Sequence, residues 1–137
     1  MRFEGRLLKQ GKWWAIEVPM LGVFTQGRSK RDAYEMIKDA VELLADTPGF
    51  RVDVYPGVGR HFEVGASDER TLVALLLRRQ RQARGLSLAE VTRRLGLKSR
   101  NAYARYEQGK AAPTVEKLTE LLRAVNPERD LVLRESA

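Results

Sequence analysis

The sequence predicts an α+β fold, in which a small sheet with one helix precedes an all-helical domain. Apolar and polar residues alternate through residues 2–9 and recur in an aromatic, β-branched run over 12–18, as is typical of strands. From residue 67 onward, apolar residues instead recur at helical spacing behind residues that cap helices. We therefore predict two domains, residues 1–66 and 67–137.

The strands of the N-terminal domain follow from its turn residues. Gln10-Gly11 separates the first two strands, and Pro19 ends the second because proline cannot donate to a strand ladder. A third strand lies around residues 22–26. After a helix, a fourth covers residues 51–55, and residues 61–64 extend or continue it. The predicted order is β-β-β-α-β.

The single helix of this domain begins after Ser29, which forms a capping-box pattern with Asp32, and it ends at about Ala45. Its apolar stripe covers one face of the sheet and consists of Ala33, Ile37, Ala40, Val41 and Leu44. A second, acidic stripe shares one face at i, i+4, i+7 and i+11: Glu35, Asp39, Glu42 and Asp46. Two interpretations of the acidic stripe are open, a solvated surface or a contact for a basic partner protein.

Four helices are predicted in the C-terminal domain. The first is capped by Ser67 or Asp68 and the second by the capping box Ser87–Glu90. The third runs from about Ser99 to Gln108, and the fourth begins at Pro113-Thr114. Glycines follow the first three, as is usual just past a helix C-terminus: Gly85, Gly96 and Gly109. The tail 130–134 is predicted to be a short strand or an oligomerisation arm.

Two short helices joined by a glycine-containing turn make a helix-turn-helix, whose second helix enters the DNA major groove. On that helix we expect Ala102, Tyr103 and Tyr106 to face inward. Arginine suits guanine and asparagine suits adenine, which makes the residues expected outward suitable for reading bases. The predicted DNA contacts are Ser99, Arg100, Asn101, Ala104, Arg105, Arg93, Arg94, Lys98 and Lys110. Further candidates for phosphate contacts are Arg78, Arg79, Arg81 and Arg84.

The charge distribution agrees with a polyanionic partner for the C-terminal half. The net charge is +7, of which residues 1–67 carry +1 (10 basic, 9 acidic) and residues 68–137 carry +6 (15 basic, 9 acidic). Residues 78–110 hold ten basic residues against two acidic ones. A nucleic-acid surface and an ordinary solvated basic face both remain open from charge alone.

The composition excludes several classes of protein. There is no cysteine, so neither a disulfide nor a thiolate zinc site can form. No stretch approaches the roughly 18 apolar residues of a membrane span, and residues 1–5 lead into patterned sequence without a secretory apolar core. We expect a cytoplasmic protein.

The C-terminal segment from residue 75 to 125 resembles the Xre/lambda-repressor-like helix-turn-helix family. The resemblance rests on the run 85–91 (Gly-Leu-Ser-Leu-Ala-Glu-Val), on Leu95-Gly96, and on 106–110 (Tyr-Glu-Gln-Gly-Lys) before Pro113-Thr114. The turn at residues 98–101 is one residue longer than the family's usual turn, which leaves the register of the reading helix open. Thr92 replaces the usual alanine.

The N-terminal segment is similar to the HicB antitoxins. The matching residues are the run 14–19 (Trp-Ala-Ile-Glu-Val-Pro), Gly22, the run 25–27 (Thr-Gln-Gly) and positions between 33 and 42. This resemblance implies a partial ribonuclease H-like fold that binds a HicA toxin, a small mRNA-cleaving ribonuclease, and repression of the shared operon. The acidic stripe is then the expected toxin contact, because a toxin that binds RNA is expected to be basic.

No catalytic constellation stands out. Glu4, Glu17 and Asp53 form no recognisable cluster of the kind that two-metal nucleases need, and His61 is the only histidine. We expect no enzyme activity, no metal and no cofactor. The leading hypothesis is an antitoxin that binds a HicA-like toxin and operator DNA as a dimer or tetramer. The alternative is a free-standing regulator, and a nuclease is a weaker third possibility.

Overall fold

The computed structural model describes residues 1–136 and divides into two compact units, Met1–Leu72 and a second that begins at Val73. The division falls inside the helix Glu69–Ala83. The sequence had suggested an earlier boundary, after residue 66.

The first unit contains one five-stranded sheet in which every pair of neighbours is antiparallel. Its spatial order is β3-β2-β1-β5-β4. A short 3₁₀ turn, Pro19–Leu21, connects the second strand to the third. The strands are β1 (Phe3–Gln10), β2 (Trp13–Val18), β3 (Val23–Gly27), β4 (Val52–Pro56) and β5 (His61–Ala66).

The fifth strand corrects the predicted order, which becomes β-β-β-α-β-β. Residues 61–64 do not extend the preceding strand, because the chain reverses at residues 57–60. The N–H of Gly57 donates to the carbonyl of His61 at 2.9 Å. The reversal places β5 between β1 and β4, where Phe62 and Val64 are fully buried.

Helix α1 (Lys30–Ala45) covers one face of this sheet. Ser29 caps it as predicted, since its Oγ accepts from the N–H of Asp32 at 3.0 Å. Of the expected stripe, Ala40 and Leu44 are half-buried. The fully buried members are Ala33, Ile37 and Val41.

The helix lies very close to the sheet at Gly27. A Cβ atom at this position would come within 2.3 Å of the backbone nitrogen of Ala33. Real Cβ atoms essentially never make so short a contact, so only glycine permits this spacing between β3 and α1.

The second unit is helical, with α2 (Glu69–Ala83) leading into α3 (Leu88–Arg94), α4 (Arg100–Glu107) and α5 (Val115–Val125). Its core is a cluster of buried side chains: Val73, Leu77, Val91, Tyr103, Leu118, Leu121 and Val125. The tail 130–134 is exposed and has no regular secondary structure, so the predicted strand is wrong. Within residues 1–136, no helix is long and apolar enough to cross a membrane.

Candidate nucleic-acid interface

The connection between α3 and α4 is a tight reversal centred on Gly96. This residue has a φ of 70°, in the left-handed region that favours glycine. Its N–H donates to the carbonyl of Arg93, and the N–H of Leu97 donates to that of Thr92, both at 3.0 Å. These two bonds complete the glycine-terminated helix end that the sequence predicted.

Ser99 sets where α4 begins. Its Oγ accepts from the N–H of Asn101 at 3.2 Å, and Arg100 is the first helical residue. Because the Ser99 side chain caps the helix, its hydroxyl is engaged within the protein. The structure therefore shows at which residue α4 begins, which the longer turn had left open in the sequence.

One predicted DNA contact, Ala104, lies on the buried inner face of α4. Ala104 is buried with Tyr103 and Glu107, whereas Ala102, which was expected inside, is exposed. Tyr106, which was also expected to face inward, is only half-buried. Ala104 therefore lies in the core and not at the surface available to DNA.

The outer face of α4 presents Asn101, Ala102, Arg105 and Gln108, all exposed. Asn101 and Arg105 are one helical turn apart and share this face. Arg100 is also exposed, but five residues rotate it by about 140° from Arg105. The two arginines therefore do not lie side by side, and the pair suited to reading bases is Asn101 with Arg105.

The other predicted DNA contacts differ in how much their side chains are engaged within the unit. Arg93, Lys98 and Lys110 are exposed, as is Arg84. Arg94 donates from Nη1 to the carbonyl of Ala124 at 3.0 Å, so it ties α3 to the end of α5. Arg78 and Arg79, on α2, are half-buried.

Arg81 does not belong among the phosphate contacts. Its Nε donates to both carboxylate oxygens of Glu107, at 2.8 and 3.1 Å, and its Nη1 donates to the carbonyl of Leu86 at 2.8 Å. Only 15% of the Arg81 side chain and 5% of the Glu107 side chain are exposed. The hydrogen bond that Arg81 donates to the Glu107 carboxylate raises the pKa of Arg81 above its usual value. The pair links α2 to α4.

Two further polar side chains, on α3 and α4, are buried. Tyr103 lies in the core of the unit, and burial, followed by the nearby Glu107 carboxylate, raises the pKa of its phenol well above the ordinary value. Thr92 is buried, and its Oγ1 donates to the carbonyl of Leu88 at 2.7 Å. The departure from the family's alanine is accommodated because the hydroxyl bonds its own helix.

The four residues of the acidic stripe of α1 differ in their exposure and in their hydrogen bonds. Glu35 and Asp39 are exposed, but the Oε1 of Glu42 accepts from the N–H of Val52 at 2.9 Å and ties the helix to β4. Asp46 lies just past the helix, with a φ of 47°. Basic residues also border Glu35 in a groove of about 310 Å³ lined by Arg31, Tyr34, Glu35, Lys38, Val52, Asp53, Val54 and Pro56.

Three of the catalytic candidates, Glu4, Glu17 and His61, lie on neighbouring strands, each beside a potential ion-pair partner. His61 is largely exposed, with its Nδ1 3.6 Å from Glu4, and Glu17 pairs with Arg6 at 3.7 Å. Asp53 lines the groove beside α1. Among residues 1–136, no group of three or more His, Cys, Asp or Glu side chains is arranged to hold a metal ion.

Comparison with known proteins supports the C-terminal half of this description. Residues 77–128 match the helix-turn-helix family model HTH_3, over a range that begins in α2 and includes α3, α4 and α5. The match supports the resemblance to the Xre-like helix-turn-helix and indicates a role in DNA-binding transcription regulation. No curated protein matches the chain.

Proposed function

We propose that the protein is a sequence-specific repressor that binds operator DNA as a dimer, with α4 in the major groove. The observation that carries this proposal is the exposed pair of Asn101 and Arg105 on a helix whose opposite face is fixed by the core. A site on a rigid element holds its side chains in a defined geometry. Two half-sites would each take one copy, as is usual for helix-turn-helix dimers.

A selection from random duplexes tests this proposal. The full chain should enrich one motif, and the variant Asn101→Ala/Arg105→Ala should bind that motif no better than unrelated duplexes. Arg129→Ala, which removes an exposed cation from the same unit, is the matched control and should keep the preference. Failure to enrich any motif would contradict the proposal, as would undiminished preference in the double variant.

For the first unit we propose the role of a HicB-type antitoxin that covers a HicA-like, mRNA-cleaving toxin. The resemblance of residues 14–42 to the HicB antitoxins supports it, and the exposed carboxylates of Glu35 and Asp39 are suited to a basic partner. Because Glu42 is bonded to β4, it would contribute less to such a contact. The role involves binding and not catalysis, and we place it in the cytoplasm.

Purification of the tagged protein from its native cells tests the antitoxin role. A small basic protein should co-elute, and Glu35→Gln/Asp39→Asn should weaken its retention, whereas Glu128→Gln in the second unit should not. If no partner co-elutes while operator binding persists, the protein is instead a free-standing regulator. The basic residues Arg31 and Lys38 beside Glu35 are the observation that favours this alternative.

A further inference from the structure

A group of cations and tryptophans meets at one end of the sheet in the first unit. The strand register pairs Lys9 with Trp14 and Trp14 with Gly27, which brings residues 9–14 next to residues 28–30. Neither segment contains a carboxylate. We call this group the hairpin-end cluster: Lys9, Lys12, Trp13, Trp14, Arg28 and Lys30.

Four positive charges are thus concentrated at this end of the sheet. Residues 1–67 as a whole carry a net charge of only +1 (10 basic, 9 acidic). The next acidic residue after the second segment is Asp32. Its Oδ2 already accepts from the backbone N–H of Arg28 at 2.8 Å, so part of its capacity is used by the helix cap. A surface on which like charges gather is suited to an anionic partner.

The two tryptophans have different positions. Trp14 is half-buried, and the ammonium groups of Lys9 and Lys30 lie 4.9 and 5.2 Å from its ring centroid. It therefore holds two cations in place through its ring. Trp13 is on the opposite face of the strand, is 42% exposed, and has the guanidinium carbon of Arg28 at 5.8 Å from its ring centroid.

An exposed indole among cations fits a particular kind of anion. Unpaired bases stack on aromatic side chains while basic residues follow the phosphates, whereas a duplex keeps its bases stacked inside and an acidic peptide offers no base. We propose that the hairpin-end cluster binds single-stranded nucleic acid, with Trp13 stacking on a base, and with Arg28 beside it and Lys12 in the adjoining turn contacting phosphates. This site lies in the first unit and does not depend on the function proposed for α4.

The test uses the full chain with Asn101→Ala/Arg105→Ala, so that base contacts from α4 do not contribute. The probe is a labelled oligothymidylate of about 16 nucleotides, the upper range for one small binding domain, compared with a duplex of the same length. Adding Trp13→Leu should weaken single-strand binding by roughly 5- to 150-fold, the range for loss of one stacked base. Lys12→Gln should reduce the slope of log K against log salt by about 0.7.

Arg51→Gln is the matched control, because it removes an exposed cation from the same unit at the opposite end of the sheet, where the carbonyl of Arg51 accepts from the N–H of Ser67. It should leave both the affinity and the salt slope unchanged. Far-UV circular dichroism and thermal-unfolding midpoints like those of the parent show that the first unit of these variants folds. The proposal is overturned if the oligothymidylate does not bind, if Trp13→Leu binds it as tightly as its parent, or if Lys12→Gln and Arg51→Gln have the same effect.

Discussion

Arg81 and Glu107 form a buried ion pair in which one guanidinium nitrogen donates to both oxygens of the carboxylate. Because Arg81 also donates to the carbonyl of Leu86, a single side chain joins α2, the following turn and α4. Helix α4 is held by this pair on the side opposite Asn101 and Arg105. Its stability and its DNA binding can therefore be tested separately.

Glu107→Ala should destabilise the second unit by about 3–5 kcal/mol, since it leaves a buried guanidinium without its partner. The free energy of unfolding from urea titration measures this loss. Glu120→Ala removes a carboxylate from the exposed pair with Lys117 and should change stability little. Equal effects of the two substitutions would mean that the buried pair does not hold α4.

Arg105→Ala should reduce discrimination between the selected operator and single-base variants by about 1–3 kcal/mol. Arg100→Ala should instead weaken binding to all duplexes alike and lower the salt slope by about 0.9, as loss of one phosphate contact does. The reason is that Arg100 lies off the face shared by Asn101 and Arg105. Competition titrations over several salt concentrations measure both quantities, and the reverse pattern would place the reading face elsewhere.

Tyr103 should make the second unit sensitive to alkali. Its pKa is raised in the folded state, first by burial, so above a pH of about 10 the unfolded phenol loses its proton while the folded one keeps it. Stability from this group is therefore complete below pH 10 and declines as pH rises further. Urea unfolding between pH 8 and 11 should show a smaller decline for Tyr103→Phe than for the wild type, and parallel curves would contradict the assignment.

Gly27→Ala should destabilise the first unit by at least about 1–3 kcal/mol, the usual cost of overpacking. The added methyl group would meet the backbone of Ala33, which cannot rotate away as a side chain can. Thermal unfolding followed by tryptophan fluorescence, which reports on Trp13 and Trp14, measures the effect. An unchanged midpoint would show that β3 and α1 separate without cost.

Local chemistry explains which features could be predicted from the sequence. Ser29 and Ser87 cap their helices as expected, because a capping residue bonds to an N–H three positions away and needs no distant partner. The left-handed conformation of Gly96 follows in the same way from its position after a helix. Neighbours along the chain are sufficient for such predictions.

Features that depend on distant residues were missed. The pattern at Phe62 and Val64 is the same for a continued strand as for a new one, and only pairing with β1 decides between them. Nothing near Arg81 in the sequence shows that its partner is Glu107, 26 residues away. Ala104 is small and apolar, and its burial depends on the rotation of α4 against the core.

The separation of α4 into a packed face and an exposed face has an evolutionary consequence. Substitutions at Asn101, Ala102 and Arg105 change the surface offered to DNA and leave Tyr103 and Glu107 in place. Related regulators could therefore diverge in target site, one base pair at a time, while keeping the same thermal stability. Ala102 is exposed, so a longer polar side chain there would add a new contact without displacing an old one.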